Sequence, residues 1–247
     1  MIGPSLSRGS KSQGDARVRA ANYLKSGLYT VSDAARLIDV NSQRLRRWVT
    51  GDPHGSDSTP LIGTDIERID GQVSLSFMNL IEALFISKFA AKGLHVRSIR
   101  AMADEAKRFL QTPYPFSRNV LFRADGQKIF AEIVKRTGDH ELYDLSKRNW
   151  AFYSMLKRVL KPTIIYGPSE HAERWYPRKR IAPNVIVNPS ASFGQPVLAD
   201  SGVPTHAIRT AVKAEGGDCA TVAKWYDIPV ARVEEAVKFE SRLDSAA

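Results

Sequence analysis

The sequence predicts an α+β fold in three parts: a winged helical N-terminal unit, a small mixed α/β middle region and a helical C-terminal domain. Apolar residues recur at helical intervals in residues 28–49 and 77–109, and again in short stretches after residue 204. Two Asp-Gly pairs, Asp70-Gly71 and Asp125-Gly126, stand among alternating residues. Because this arrangement is typical of a tight β-hairpin, strands are expected at both places.

Changes in composition divide the chain into segments. A flexible tail and a short helix are expected at 1–26, because its Ser/Gly/Lys-rich start cannot form a core. The winged unit is expected at 27–112 and ends before Pro113, a residue that cannot continue a helix. A mixed strand and helix region at 113–180 and the C-terminal domain at 181–247 complete the chain.

The charge is distributed unevenly along the chain. The 247 residues carry a formal net charge of +10, to which 1–111 contribute +5, 112–180 contribute +7 and 181–247 contribute −2. A strongly basic chain favours anionic partners, and nucleic acid is the first of these. Basic surface is also common in proteins that bind no nucleic acid, so the charge alone leaves the function open.

Several classes of protein and of site are not expected. No run of about 18 apolar residues occurs, so a membrane span is not expected, and the first residues lack the apolar core of a secretory signal. The single cysteine, Cys219, excludes an internal disulfide and a cysteine-based zinc finger. The five histidines are scattered without ligand spacing. We therefore expect a cytoplasmic protein with no metal and no cofactor.

The stretch YTVSDAARLIDVNSQRLRRWV at 29–49 predicts two short helices joined by a three-residue turn. Ser32 and Ser42 are the expected N-caps, and Leu45, Trp48 and Val49 form the inner face of the second helix. Its outer face suits a DNA major groove, since arginine matches guanine and glutamine matches adenine. The expected DNA-binding residues of this helix are Ser42, Gln43, Arg44, Arg46 and Arg47. A two-helix hairpin with a solvated basic face is the alternative.

The residues that follow favour DNA binding. A candidate hairpin at 66–77 precedes two further helical patterns at 78–93 and 94–109. This order resembles the MerR family, whose DNA-reading unit is a helix-turn-helix, a two-stranded wing and two more helices. The DNA contacts that the resemblance implies are Arg46 in the reading helix, and Arg68 and Gln72 in the wing, where the family touches phosphates.

The expected means of dimerisation departs from that family. The fourth helix stops before Pro113, where MerR regulators continue into a long dimerising coiled coil, so neither that dimer nor its effector pocket is implied. A homodimer is still expected, because one short reading helix contacts too few base pairs for an operator. A second helix pair at 219–240 presents Glu234 and Glu235, which phosphate repels. This C-terminal region is therefore the candidate dimer contact, not a second reader of DNA.

Residues 185–240 resemble a small domain of VapB-type antitoxins and their relatives. The matching residues are Asn188, Pro189, Phe193, Gly194, Pro196, Val197, Pro204, Thr205, Val222, Ala223, Tyr226, Val233, Ala236 and Phe239. Gly194 and Pro196 are expected to shape a turn and Thr205 to cap a helix. The resemblance implies the antitoxin of a type II toxin-antitoxin pair, which binds a PIN-like ribonuclease encoded nearby and represses its own operon through double-stranded operator DNA. The alternatives are a MerR-like transcription regulator that senses a small ligand, without a toxin, and an accessory to a nucleic-acid enzyme.

A basic run late in the middle region is the candidate toxin-binding site. It comprises Arg174, Arg178, Lys179 and Arg180, interleaved with Trp175, Tyr176 and Pro177. Arginines among aromatic residues are typical of interface hot spots, and charge-assisted bonds can pair them with the carboxylates of a nuclease. A solvated strand edge and a second contact to DNA are the alternatives.

No catalytic motif occurs in the chain: there is no dinucleotide or P-loop glycine pattern, no nucleophile elbow and no HExxH. Asp139, Glu141 and Asp144 could hold magnesium, although acidic loop residues are more often simply solvated. We therefore expect a binding protein, with no catalytic residue, and not an enzyme.

Overall fold

The computed structural model describes residues 26–52, 58–140, 142 and 150–245. It confirms an α+β fold, in which helices pack around two small antiparallel sheets. The described helices are α1 (Val31–Ile38), α2 (Ser42–Thr50), α3 (Phe77–Ala90), α4 (Val96–Leu110), α5 (Gly126–Thr137), α6 (Trp150–Leu160), α7 (Thr205–Ala214), α8 (Cys219–Tyr226) and α9 (Val230–Asp244). The described strands are β1 (Tyr29–Thr30), β2 (Ser74–Leu75), β3 (Ile164–Tyr166), β4 (Ala172–Trp175), β5 (Val185–Val187) and β6 (Pro196–Leu198). Among the described helices, none has both the length and the apolar character needed to cross a bilayer.

Helices α1 and α2 and the three-residue turn between them form as the sequence predicts, but their caps differ. Thr30, not Ser32, caps α1, because its Oγ1 accepts the amide of Asp33 at 3.1 Å. Asn41, not Ser42, caps α2, because its Oδ1 accepts the amides of the second and third residues of that helix. A capping residue has extended backbone, whereas both serines already lie inside their helices.

The first Asp-Gly pair forms a tight turn, but the strands on either side of it pair only at the turn. Asp70 and Gly71 have φ of 50° and 75°, as a type I′ turn requires, and Ile69 and Gln72 exchange backbone hydrogen bonds of 3.0 and 2.8 Å. The ladder ends at that pair. Strand β2 pairs with β1 instead, so the expected two-stranded wing is reduced to one bridged pair.

The prediction of a hairpin at Asp125-Gly126 is wrong. A 3-10 turn (Asn119–Phe122) precedes this pair, and Gly126 begins helix α5. A Cβ on Gly126 would lie 2.2 Å from the Leu121 carbonyl oxygen, so glycine stands here because the chain packs closely. The buried apolar residues of α5 recur at helical spacing and are Phe130, Ile133 and Val134. That spacing outweighs the turn preference of the dipeptide.

The larger sheet joins the expected middle region to the C-terminal domain. Its strands run antiparallel in the order β3-β4-β5-β6, and β4 meets β5 through Trp175 and Val187. The C-terminal domain is therefore helical only from α7 onwards. All three residues of β5 are buried, because α7 and α9 cover the sheet. Buried β-branched runs favour a strand under such a cover.

Helix α3 lies at the centre of the N-terminal core and is buried on nearly every side, as an apolar helix in a core must be. It carries one buried acid, Glu82. The Oε1 of Glu82 accepts the amides of Phe116 and Ser117 at 2.8 and 2.7 Å. Burial raises the pKa of this carboxyl to about 8, although the two amides act in the opposite direction. Glu82 thereby fastens the segment after α4 to the core.

Candidate nucleic-acid interface

Helix α2 presents the basic face that its sequence predicts. Leu45, Trp48 and Val49 are buried against the core. The outward side chains are exposed and are Ser42, Gln43, Arg44, Arg46 and Arg47. Within the described residues none of these three arginines forms an ion pair, so the face carries three charges that no acid neutralises. Such a face is complementary to an anionic partner.

The segment 58–62 connects α2 to α4 through hydrogen bonds. The carbonyl oxygen of Trp48 accepts the amides of Leu61 and Ile62 at 2.8 and 2.9 Å. From α4, Arg100 donates to the carbonyl oxygens of Thr59 and Pro60 at 2.8 and 3.0 Å. The orientation of α2 is therefore set by contacts to a helix about fifty residues later in the sequence.

An open groove of about 450 Å³ lies between α2 and the start of α4. Its lining includes Arg44, Arg47 and the carboxylate Asp52 on one side, and His95 and Arg100 on the other. His95 is the N-cap residue of α4, but its side chain makes no capping hydrogen bond. The groove thus combines cationic side chains with the amide end of a helix, where anions are stabilised. This side of the groove cannot be predicted from the sequence, because spacing along the chain does not reveal that α2 and α4 meet.

The two expected wing residues lie elsewhere. Arg68 and Gln72 are exposed on the tight turn, and Arg68 Nη1 donates weakly to the Gly71 carbonyl oxygen at 3.5 Å. Neither residue lines the groove beside α2. The structure therefore brings Arg44 and Arg47 together with the start of α4, and leaves Arg68 and Gln72 on a separate projection.

The basic run 174–180 is divided between solvent and the interior. Arg178 is half-buried, and its guanidinium donates to the carbonyl oxygens of Leu37 at 2.9 Å and Arg36 at 3.3 Å. These carbonyls end α1, where a cation is favourable. Lys179 donates to a loop carbonyl oxygen at 2.7 Å and lies over the Tyr176 ring, while Arg174 and Arg180 are exposed. Strand β4, which carries Arg174, is an inner strand, so the run is not a sheet edge.

Further contacts join the C-terminal region to the α1–α2 pair. Arg36 of α1 forms an ion pair of 2.6 Å with Asp244 of α9, and Arg209 also pairs with Asp244. Burial first, and then the charge of Arg178, lower the pKa of Lys88 on α3, while Asp39 acts in the opposite direction. The first helix of the pair is thus held by the β4–β5 connection and by α9.

The Phe193-Gly194 turn contacts the entry to α1. The Leu28 amide donates to the Phe193 carbonyl oxygen at 3.0 Å. Gly194 has φ of 83°, and a Cβ there would lie 2.3 Å from the Tyr29 hydroxyl oxygen. Glycine is therefore required both by backbone conformation and by close packing. Thr205 is not a cap as expected: its hydroxyl is buried and bonds the Glu240 carboxyl.

Comparisons with known proteins give a fold and no family. No family model matches the chain. No curated protein matches it. The crystal structure of Rv2018 from Mycobacterium tuberculosis is similar, with a TM-score of 0.69 and 22% identity, over 85% of this chain and 96% of that one. The two chains share a fold. At this identity the likeness carries no statement about activity.

The hydrogen bonds of Arg178 to the end of α1 should contribute to the free energy of unfolding. Replacing Arg178 by alanine should lower the free energy of unfolding by about 1–2 kcal/mol, because the last carbonyls of α1 lose a charged donor. Arg178→Lys should retain part of this free energy, because an ammonium group lacks the planar arrangement of donors that a guanidinium has. Urea unfolding measures both variants. Arg174→Ala, at an exposed position of the same run, is the matched control and should change stability little. Equal losses at 174 and 178 would contradict the assignment.

Proposed function

We propose that this protein is a transcription regulator that binds double-stranded DNA through α2, in the manner of a MerR-like helix-turn-helix. The observation that carries the proposal is the exposed face of Gln43, Arg44, Arg46 and Arg47, on a helix whose other face is buried. Its three arginines form no ion pair with the part of the chain that the structure describes. An α-helix fits the major groove, where arginine bonds guanine and glutamine bonds adenine. A regulator of this kind is a binding protein of the cytoplasm that needs no cofactor.

The groove beside α2 supports the same function. A DNA backbone that flanks the major groove carries a phosphate at each nucleotide, and contacts to phosphates set the position of a reading helix. Arg47 and the start of α4 line this groove, so we assign it to the backbone. The single bridged pair at Asp70-Gly71 is the corresponding short wing, and Arg68 contacts the backbone from there.

Selection of bound duplexes from a random pool tests the proposal. We expect an enriched motif with two-fold symmetry, and a log-log plot of its binding constant against salt that falls linearly, because phosphate contacts release counterions. A scrambled duplex of the same composition is the control and should bind much more weakly. The proposal fails if no motif is enriched, or if single-stranded RNA binds more tightly than every selected duplex.

We also propose, as a second role, that the protein is an antitoxin whose toxin is a PIN-like ribonuclease. The sequence resemblance of residues 185–240 to a domain of VapB-type antitoxins supports this role, and Phe193 and Gly194 of that stretch form a turn that contacts the entry to α1. Since Arg178 is occupied within the chain, the exposed Arg174 and Arg180 are the toxin contacts. Co-expression of the adjacent gene with an Arg174→Glu, Arg180→Glu variant tests this role. Lost co-purification with normal DNA binding supports it, and unchanged co-purification contradicts it.

A further inference from the structure

The chain contains a second helix pair with the layout of the first, at the place where the sequence predicts a pair similar to a helix-turn-helix. Helices α1 and α8 each have eight residues. Each ends at an aspartate with left-handed backbone, Asp39 with φ of 62° and Asp227 with φ of 51°. In each pair the next helix starts three residues later, and a side chain caps the first helix, Thr30 in α1 and Asp218 in α8. The helices α8 and α9 therefore correspond by position to α1 and α2.

The outward face of the second pair is occupied by its own chain. Arg232 takes the place in α9 that Arg44 has in α2, and its Nε donates to Asp200 at 2.7 Å. Glu235 takes the place of Arg47, and it accepts the Asn184 amide at 2.7 Å. A face that is closed in this way, and that carries acids, cannot approach a phosphate backbone. The second pair is not a reader of DNA.

One flank of the first helix in each pair differs in the opposite sense: it is buried in α1 and exposed in α8. In α1 the seventh residue, Leu37, is 3% exposed and lines a cleft with Pro196 and with Leu243 of α9. In α8 the seventh residue is Trp225, which is 58% exposed. Val230, across the turn at the start of α9, is 41% exposed. The flank at Leu37, which the chain covers in the first pair, is thus left open in the second, where it carries a tryptophan. Val230 and its counterpart Ser42 are both exposed.

We propose that this flank, centred on Trp225, is the surface through which two copies of the chain form a symmetric dimer. The charge distribution favours a second copy as the occupant. Residues 1–111 and 112–180 carry +5 and +7, whereas 181–247 carry −2. In a symmetric dimer like segments meet, so a contact through 181–247 brings less like charge together than a contact through either basic segment.

The charges of α8 also fit a two-fold arrangement. Asp218 stands at the start of the helix and Lys224 near its end. In an antiparallel pairing of two α8 helices, Asp218 of each copy lies on the side of Lys224 of the other. A two-fold interface must be complementary to itself, and the pairing of Asp218 with Lys224 meets this requirement, although Asp227 at the C-cap adds a like charge at that end. Tryptophan is among the residues that contribute most to interfaces when they are buried there.

The role of this dimer rests on the proposed function, because a two-fold operator requires two reading helices. Dimerisation itself is measured without DNA. Sedimentation over a concentration series compares wild type, Trp225→Ala and Trp225→Glu. Alanine should raise the dimer dissociation constant at least about tenfold, and glutamate should abolish the dimer. Phe193→Ala is the matched control, because Phe193 is an equally exposed aromatic, 59% accessible, on another surface. It should dimerise as wild type does.

Fluorescence gives a second readout that does not depend on the stability of the variants. The emission that wild type has and Trp225→Phe lacks should shift to shorter wavelength as the protein concentration rises, because the indole becomes buried. A wild type that stays monomeric at every concentration overturns the proposal, and leaves the flank to a different protein. A Trp225→Glu variant that dimerises like wild type overturns it as well.

DNA binding separates this inference from the proposed function. Trp225→Ala should bind a single half-site as tightly as wild type does and lose affinity only for the paired site. If no form of the protein binds DNA but dimerisation depends on Trp225, the proposed function fails and the dimer surface stands. If a dimer reads DNA and does not depend on Trp225, the dimer surface fails and the proposed function stands.

Discussion

Replacing Arg46 or Arg47 by alanine should weaken binding to the selected duplex without lowering the stability of the fold, because both side chains are exposed. The two losses should differ in kind. Arg46 lies outside the groove and should read a base, so its loss costs about 1–3 kcal/mol and relaxes specificity at one position. Arg47 lines the groove and should contact a phosphate, so its loss weakens all duplexes alike and lowers the salt slope by about one.

Gel-shift titrations at several salt concentrations, on the selected duplex and on single-base variants of it, distinguish these two outcomes. Arg158→Ala is the matched control, because Arg158 is an exposed arginine on α6, outside the α1–α2 pair. Its binding should stay close to that of wild type. Wild-type binding by both the Arg46 and the Arg47 variants, at every salt concentration, would show that α2 is not the reading helix.

Glu82→Ala should be among the most destabilising single changes in the chain. The buried amides of Phe116 and Ser117 lose their acceptor, and each unsatisfied amide costs about 1–3 kcal/mol. We therefore expect a loss of about 2–5 kcal/mol in the free energy of unfolding. Glu82→Gln keeps an oxygen in the same place and should fold normally near pH 5. Equal losses for the alanine and glutamine variants near pH 5 would contradict this account.

Wild type and Glu82→Gln should also differ in how their free energy of unfolding depends on pH. The pKa of Glu82 is raised from 4.5 to about 8 in the fold, so the folded state keeps a proton that the unfolded state releases. The contribution of Glu82 is complete below pH 4.5 and is lost as the pH rises through 8. Glutamine does not titrate, so its stability relative to wild type should rise over this interval. Urea unfolding at about pH 5 and about pH 9 measures the change, and parallel pH profiles would argue against it.

Local patterns could be predicted from the sequence, and contacts between distant segments could not. The helices α1 and α2 and their inner and outer faces follow from apolar spacing alone. At Asp125-Gly126 a local preference misled, because the reason for the glycine is the carbonyl of Leu121 beside it. The sequence predicts that the second helix pair is similar to a helix-turn-helix, and the backbone angles at Asp39 and Asp227 show how its turn corresponds to that of the first pair.

The candidate site shows the same division. Gln43, Arg44, Arg46 and Arg47 were predicted, because a helix that buries one face must expose the other. The opposite side of the groove was missed, since nothing local links α2 to the start of α4. Arg178 was expected at a surface, and its hydrogen bonds to the end of α1 depend on a packing that brings residues 141 positions apart together.

The hydrogen bonds of Arg178 and the Arg36–Asp244 ion pair give the molecule a thermodynamic linkage. Any ligand that moves the β4–β5 connection or the end of α9 also changes the free energy of the helix beside α2. If such a ligand alters the affinity for DNA by some factor, then DNA alters the affinity for that ligand by the same factor. If the protein binds DNA as proposed, its occupancy of DNA then reports on the concentration of whatever binds its C-terminal region.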